Sequence, residues 1–222
     1  MLSENESAHA IKSKRLRVGD ECQLINGTGL TASCVVQNIE AKKLVALIKE
    51  IFEHRPPDSL FSIAVALPKG DRQRTMIDML TQLGVSDIYP LACRHSVTKF
   101  NTNTRKKWQR TAVEACKQSQ NPWLPEIHEL FSIEEMLQEL NARADTLACY
   151  ADAAGDSILE LSSPGKKLVV LIGPEGGFSK HEIECFKASG LHALTLAKTI
   201  LRTETAAVSA AAQLSANVIE ND

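Results

Sequence analysis

Apolar and polar positions alternate with period two over much of residues 20–51: ECQLI, the turn NGTG, then LTASCVVQNI. This pattern reads as a β-hairpin around a glycine turn. KKLVALIKEI follows as a further strand candidate, although its spacing also permits a helix. HRPPDS (54–59) ends the pattern, because two prolines and an acid break any regular element. A domain boundary is expected there, with residues 1–56 as a small β-rich module and residues 57–222 as a larger domain.

Beyond the break the period switches back and forth between two and 3.6. LFSIAVALP reads as a strand and DRQRTMIDMLTQLG as a helix, with Met76, Ile77, Leu80 and Leu83 on one stripe and Gly84 closing it. SDIYPLA is a strand. TRKKWQRTAVEACKQS is a basic helix that turns Trp108, Ala112, Ala115 and Cys116 inward. SIEEMLQELNAR (helix), TLACYAD (strand), KLVVLI (buried strand), residues 179–190 (helix), LHALTLA (strand) and a helical tail from Glu204 complete the series. Strands alternating with helices over more than 150 residues predict an α/β fold, a mainly parallel sheet covered on both faces.

Composition changes this picture little. With 44% hydrophobic and 23% charged residues, the 222-residue chain is ordinary for a globular protein. It contains no apolar run of membrane-spanning length, and its start lacks the apolar core of a secretory signal. Six scattered cysteines with no C-x-x-C pair imply free thiols in a reducing cytoplasm and no metal site. Charge matters more. Residues 1–120 hold 18 Lys/Arg against 12 Asp/Glu, and the remainder 7 against 15. A basic front half can gather phosphates, whereas the acidic rear half is a poor nucleic-acid surface.

The candidate chemistry lies in LVVLIGPEGGFSKHEIE, residues 168–184. A strand apolar on both faces ends at Gly173, and ligands of open α/β sheets gather at such carboxyl ends. Gly173, Gly176 and Gly177 let backbone approach a ligand, while Ser179 and Glu182 form a capping-box pattern that starts a helix. The spacing fits neither the dinucleotide nor the P-loop fingerprint, and Glu175 would repel a phosphate. A neutral or cationic ligand rich in hydroxyls and amines suits the loop better. A second motif, LAKTILRTETAAVSAAAQLSAN, ends in a helix of low side-chain bulk. Arg202 precedes that helix, where the helix dipole disfavours a cation by about 0.3–1 kcal/mol, so a task such as gripping an acid, a phosphate or a base is expected of it. Thr203 or Thr205 is positioned to cap the helix, and Glu204 suits its first turn.

GPEGGFSKHEIE followed by ILRTETAA resembles the RsmE family, bacterial methyltransferases of uridine N3 in 16S ribosomal RNA. LPKGDR, LGVSDIYPL, EACKQS and HAIKSKRLRVGD extend the resemblance over most of the chain. It implies a PUA-like β-barrel in front that holds RNA, truncated here because only eight residues precede His9. It implies a SPOUT-type domain behind, with a C-terminal trefoil knot, S-adenosylmethionine bound in the knot, and a homodimer. The cofactor residues it implies are Leu171, Ile172, Gly173, Glu175 and Gly177, then Leu196, Ala197, Ile200, Leu201 and Thr205. Arg202 would stabilise the uridine anion and Glu204 would orient Arg202. Arg15, Lys69, Arg72 and Arg94 are the candidate RNA contacts.

The sequence departs from the family pattern at Met79, Gln82, His95 and Asn121. Those departures favour two competing readings, a non-catalytic RNA-binding homologue and a methyltransferase with another RNA target. A nucleotide-cofactor oxidoreductase is argued against by the missing phosphate fingerprint.

Overall fold

The computed structural model describes residues 2–40, 43–56, 60–157 and 166–219. The chain divides into two compact units, Met1–Pro56 and Pro57–Asp222.

In the first unit, helix α1 (Glu4–Lys12) is capped by Ser3, whose hydroxyl accepts from the N–H of Glu6. Strands β1 (Glu21–Ile25), β2 (Leu30–Glu40) and β3 (Lys43–Glu53) follow as an antiparallel sheet in sequence order. The ambiguous KLVALIKEI segment is a strand, paired with β2 along its length. Ala10, Val36 and Leu44 form its small buried core, with Leu2, Ile11 and Leu16 packed against it. The expected barrel is, among the described residues, a three-stranded sheet accompanied by one helix. The chain ahead of β1 enters α1, an element the polar run ENESAHAIK did not announce.

The second unit alternates β4 (Phe61–Ala66), α2 (Arg72–Gln82), β5 (Asp87–Ala92) and α3 (Thr102–Ser119). Two short strands, β6 (Glu126–Ile127) and β7 (Phe131–Ser132), lead into α4 (Ile133–Asn141) and β8 (Thr146–Ser157). Then come β9 (Lys167–Ile172), α5 (Lys180–Ala188), β10 (His192–Thr195) and α6 (Thr203–Ile219). The sheet runs β10-β8-β9-β4-β5-β6, with β7 also on β5, and every described pairing is parallel.

Alternation along β4 sorts the core. Ile63 and Val65 face one layer, where Met76, Ile77, Leu80, Trp108, Ala207, Ala210 and Leu214 of α2, α3 and α6 pack. Ala64 and Ala66 face the other, against Met136, Leu140 and Phe186 of α4 and α5. Each fully buried large side chain contributes about 1.5–3 kcal/mol relative to exposure. Ala207, Ala210 and Ala211 are fully buried, so the low bulk of α6 lets it settle closely on the sheet.

Candidate functional site

The carboxyl ends of β8, β9 and β10 enclose a cavity of about 310 Å³. Three segments wall it. The first is the glycine loop after β9. Gly177 sits at φ +70°, in the left-handed region, and its N–H donates to the carbonyl of Pro174 at 2.8 Å. At Gly176 a Cβ would meet the Cβ of His95 at 3.3 Å, and Nδ1 of His95 pairs with the Gly177 carbonyl at 3.1 Å. The capping box is present as the spacing implies. Its Glu182 also reaches outside the loop, since Oε1 accepts the N–H of Arg94 at 2.8 Å while Oε2 accepts that of Ser179 at 2.6 Å. One buried carboxylate therefore joins the segment after β5 to the start of α5.

The second wall is the segment from Leu194 to Leu201, with Thr203 and Ala206. Thr203 does not cap α6. Its hydroxyl donates to the Gly173 carbonyl at 3.1 Å, and Nε2 of Gln213 donates to the Leu196 carbonyl at 3.2 Å. The third wall escaped the sequence reading. The β8–β10 register runs from Tyr150↔Ala193 directly to Asp156↔Leu194, so residues 151–155 bulge out of the pairing. That bulge presents Ala151, Asp152 and Ala153 to the cavity. Gly155 in ADAAGDS is the signal that was available, since glycine within a strand marks a bulge or a close backbone approach.

Ile172, Gly173, Glu175, Gly177, Leu196, Ala197, Ile200 and Leu201 all line the cavity. Leu171 does not; its side chain is fully buried in the core facing α4 and α5. Thr205 is exposed and also lies outside the lining, because α6 turns it away from Thr203 and Ala206. Arg202 is exposed, with no side-chain partner among the described residues.

Two expectations about charge need correction. Glu204 does not orient Arg202. Its Oε1 lies 3.6 Å from Nη1 of Arg72, and its Oε2 is buried with no hydrogen-bond partner among the described residues. Arg72 in turn is no freely offered RNA contact, for the same Nη1 lies 3.4 Å from Glu175 Oε1. Arg72 thus stands between the carboxylate of the glycine loop and the carboxylate of α6, which first-turn chemistry alone did not suggest. Lys69 and Arg94 are exposed in this unit. Arg15 is exposed in the first unit, in a left-handed conformation at φ +56°.

The departures from the family pattern have partners of their own. Gln82 Nε2 donates to Asp78 at 2.8 Å, and Asn121 Nδ2 donates to the Thr81 carbonyl at 3.0 Å. His95 supports the glycine loop as described, while Met79 is exposed.

Among the described residues no Lys, Arg or His lines the cavity, whereas Asp152 and Glu175 do. Such a wall favours a cation and disfavours phosphate. Away from it, at the amino end of β5, Asp87, Glu126 and His128 bring ligand atoms within 4.8 Å of one another. Burial is the largest influence on the Asp87 carboxyl and pushes its pKa up. Hydrogen bonds from His128, Ser86 and Ser62 outweigh it, so the net shift is downward.

A family model described as an RNA methyltransferase domain matches residues 56–215, and one described as an RNA methyltransferase PUA domain matches residues 2–49. Ribosomal RNA small subunit methyltransferase E of Rickettsia conorii is 31% identical, over 96% of this chain and 88% of that protein. Its counterpart in Bacillus subtilis is 28% identical, again over 96% and 88%. Among solved structures, Lpg2936 of Legionella pneumophila, in complex with the bound cofactor SAM, is 25% identical with a TM-score of 0.88, covering 97% of this chain and 90% of that one. Ribosomal RNA small subunit methyltransferase E of Neisseria gonorrhoeae shares the fold, with a TM-score of 0.89 at 22% identity over 97% and 90%. The match of the methyltransferase model to most of the chain, together with these full-length relatives, places the chain in the RNA methyltransferase family of the ribosomal RNA small subunit methyltransferase E proteins.

Proposed function

We propose that this protein transfers the methyl group of S-adenosylmethionine to N3 of a uridine in 16S ribosomal RNA. The observation that carries this reading is the cavity at the strand ends, walled by backbone turns and apolar side chains, with two carboxylates and no cationic side chain among its lining residues. Those residues fit a nucleoside that carries a positive sulfur. Ile172, Leu196, Ile200 and Leu201 offer apolar surface to an adenine, and the turns at Gly173–Gly177 and Leu196–Ala197 offer backbone groups. When bound, the cofactor supplies a methyl group already activated by sulfonium.

The chain must then hold the base in line and manage the N3 proton, because uridine N3 is mostly protonated at neutral pH. Arg202 is the candidate for stabilising the uridine anion. It is exposed, has no partner among the described residues, and lies between two cavity-lining residues, Leu201 and Thr203. Arg72, between Glu175 and Glu204, is assigned to hold the glycine loop against the start of α6.

The C-terminal segment is inferred to form a trefoil knot. In support, β10 lies at the sheet edge outside β8, yet α6 packs against β4 and β9 in the middle. Residues 196–202 make that return across the strand ends. A homodimer is part of the same reading, supported by Ile200, which is 96% exposed at the cavity mouth. A cytoplasmic location agrees with the free cysteines, and no helix among the described residues is long and apolar enough to cross a membrane. Residues 1–56 would hold RNA and residues 57–222 would carry the transfer.

Tritiated methyl transfer to small-subunit RNA, naked and in assembled particles, tests the reading, with mass spectrometry locating the modified atom. Label on uridine N3 is expected. Arg202→Ala should lower the rate by about 100-fold or more, the scale of a lost charge-stabilising donor. Calorimetric affinity for S-adenosylmethionine should stay within about twofold, because an anion stabiliser acts on the transition state. Cofactor binding without any transfer would instead support the non-catalytic homologue, and label on another base would change the target.

A further inference from the structure

A second concave surface lies in the same unit, a groove of about 630 Å³ between α2 and α3. Its α2 wall carries Asp71, Arg74 and Asp78, and its α3 wall Thr104, Lys107, Arg110 and Glu114. The two helices run side by side in the same direction. Trp108 Nε1 donates to Gln73 Oε1 at 2.9 Å near their starts, and Asn121, just past α3, reaches the Thr81 carbonyl near the end of α2.

Charge along the groove is uneven. Arg74, Lys107 and Arg110 occupy the end nearer the helix starts, and none has a side-chain partner among the described residues. Lys69, exposed in the loop just before α2, also has none. Of the acids, Asp78 is engaged by Gln82 and Glu114 by Lys117, while Asp71 stands at the N-cap of α2 without a side-chain bond to the helix. Neither helix has an acidic residue in its first turn. Arg74 in the first turn of α2 and Lys107 and Arg110 in the second and third turns of α3 outnumber the one acid at this end, Asp71, so the local field favours an anion. Sequence charge agrees. The front-half excess divides into 8 Lys/Arg against 7 Asp/Glu in residues 1–56, and 10 against 5 in residues 57–120. Most of it thus lies on the stretch that builds this groove. Arg72, in the same first turn as Arg74, faces Glu175 of the cofactor loop, so the groove begins within one helical turn of the cavity wall.

We infer that the basic end of the α2–α3 groove binds the phosphate backbone of the RNA substrate beside the nucleotide that enters the active site, with Arg74, Lys107 and Arg110 as the contacts. This rests on the RNA methyltransferase reading above and adds a docking surface outside the cofactor cavity. Backbone contacts of this kind position the strand and carry no base specificity.

The test is binding of the full-length chain to a small-subunit RNA transcript across a salt series. Lys107→Ala should lower the slope of log affinity against log salt by about 0.7, and the triple variant R74A/K107A/R110A by about 2, as for contacts to single-stranded phosphates. Affinity of the triple variant should fall by about tenfold or more at low salt. The charge-conserving set R74K/K107R/R110K should restore most of the slope, which a merely structural role would not require. An unchanged slope in Lys107→Ala and the triple variant overturns the inference. So does a change in sedimentation with RNA affinity intact, which would make the groove a subunit interface. The methyl-transfer assay on the unmodified chain separates the two claims. No transfer together with a reduced slope in the variants sinks the catalytic reading and keeps the groove.

Discussion

Glu182 is 6% exposed yet holds its charge. Burial is the largest influence on its carboxyl and raises the pKa. The N–H groups of Ser179 and Arg94, the Ser179 hydroxyl and nearby His95 pull it down further, leaving it below the ordinary glutamate value. A depressed folded-state pKa means stability that is fully present above the unfolded value, about 4.3, and lost as pH falls through the folded value. Glu182→Gln is expected to cost about 1–3 kcal/mol near pH 7, the range for buried groups left short of a partner. Urea denaturation at pH 7 and pH 3 checks this. The gap between variant and parent should shrink at pH 3, and an equal gap at both would show that charge is not the cause. Half of this arrangement was legible in the sequence, as Ser179 and Glu182 at capping-box spacing. The bond to Arg94 spans 88 residues and has no local signature. The Arg72 bridge between Glu175 and Glu204 was hidden for the same reason, since only the fold brings residues 72, 175 and 204 together.

Among elements, β8 shows how an irregular strand supplies a wall. Its bulge at residues 151–155 lifts Asp152 over the cavity and then returns to pair with β10. The return needs Gly155, where a Cβ would lie 2.4 Å from the carbonyl carbon of Ala193. Backbone on both sides leaves nothing soft to yield. Gly155→Ala should therefore push β10 away, at a cost of about 1–3 kcal/mol typical of overpacking. Calorimetric melting should show a loss of about 2–4 °C for each kcal/mol in a chain of this size. Affinity for S-adenosylmethionine should fall with it, because the Leu194–Leu201 wall hangs on β10. A variant melting and binding like the parent would show that the bulge can relax. Regular elements were the legible ones. Met76, Ile77 and Leu80 at helical spacing, and KLVVLI as a continuous apolar run, become α2 and β9. The two-residue strands β6 and β7 are too short to carry a period, and α1 offers only Ala8, Ala10 and Ile11 as apolar positions, too few to betray it. KLVALIKEI was ambiguous because both periods fit it, and pairing with β2 decided the matter.

For the whole molecule, the two units contribute differently. The second has a large core on each face of its sheet, whereas the first has a small core around Ala10, Val36 and Leu44. Residues 57–222 also fall within the usual size range of an independent domain. The first unit is nearly neutral, at 8 Lys/Arg against 7 Asp/Glu, so the field that draws RNA comes chiefly from residues 57–120. Removing residues 1–56 should then have a divided effect. Affinity for S-adenosylmethionine should hold within about threefold, because every described lining residue of the cavity belongs to residues 57–222. Affinity for small-subunit RNA should fall, yet the salt dependence of what remains should keep most of its slope, because the phosphate contacts assigned to α2 and α3 are still present. Calorimetry with the cofactor and RNA binding across a salt series measure both halves. A slope that collapses on deletion would place the phosphate contacts in the first unit, on Arg15 and its neighbours, and would reassign the electrostatic work between the two units.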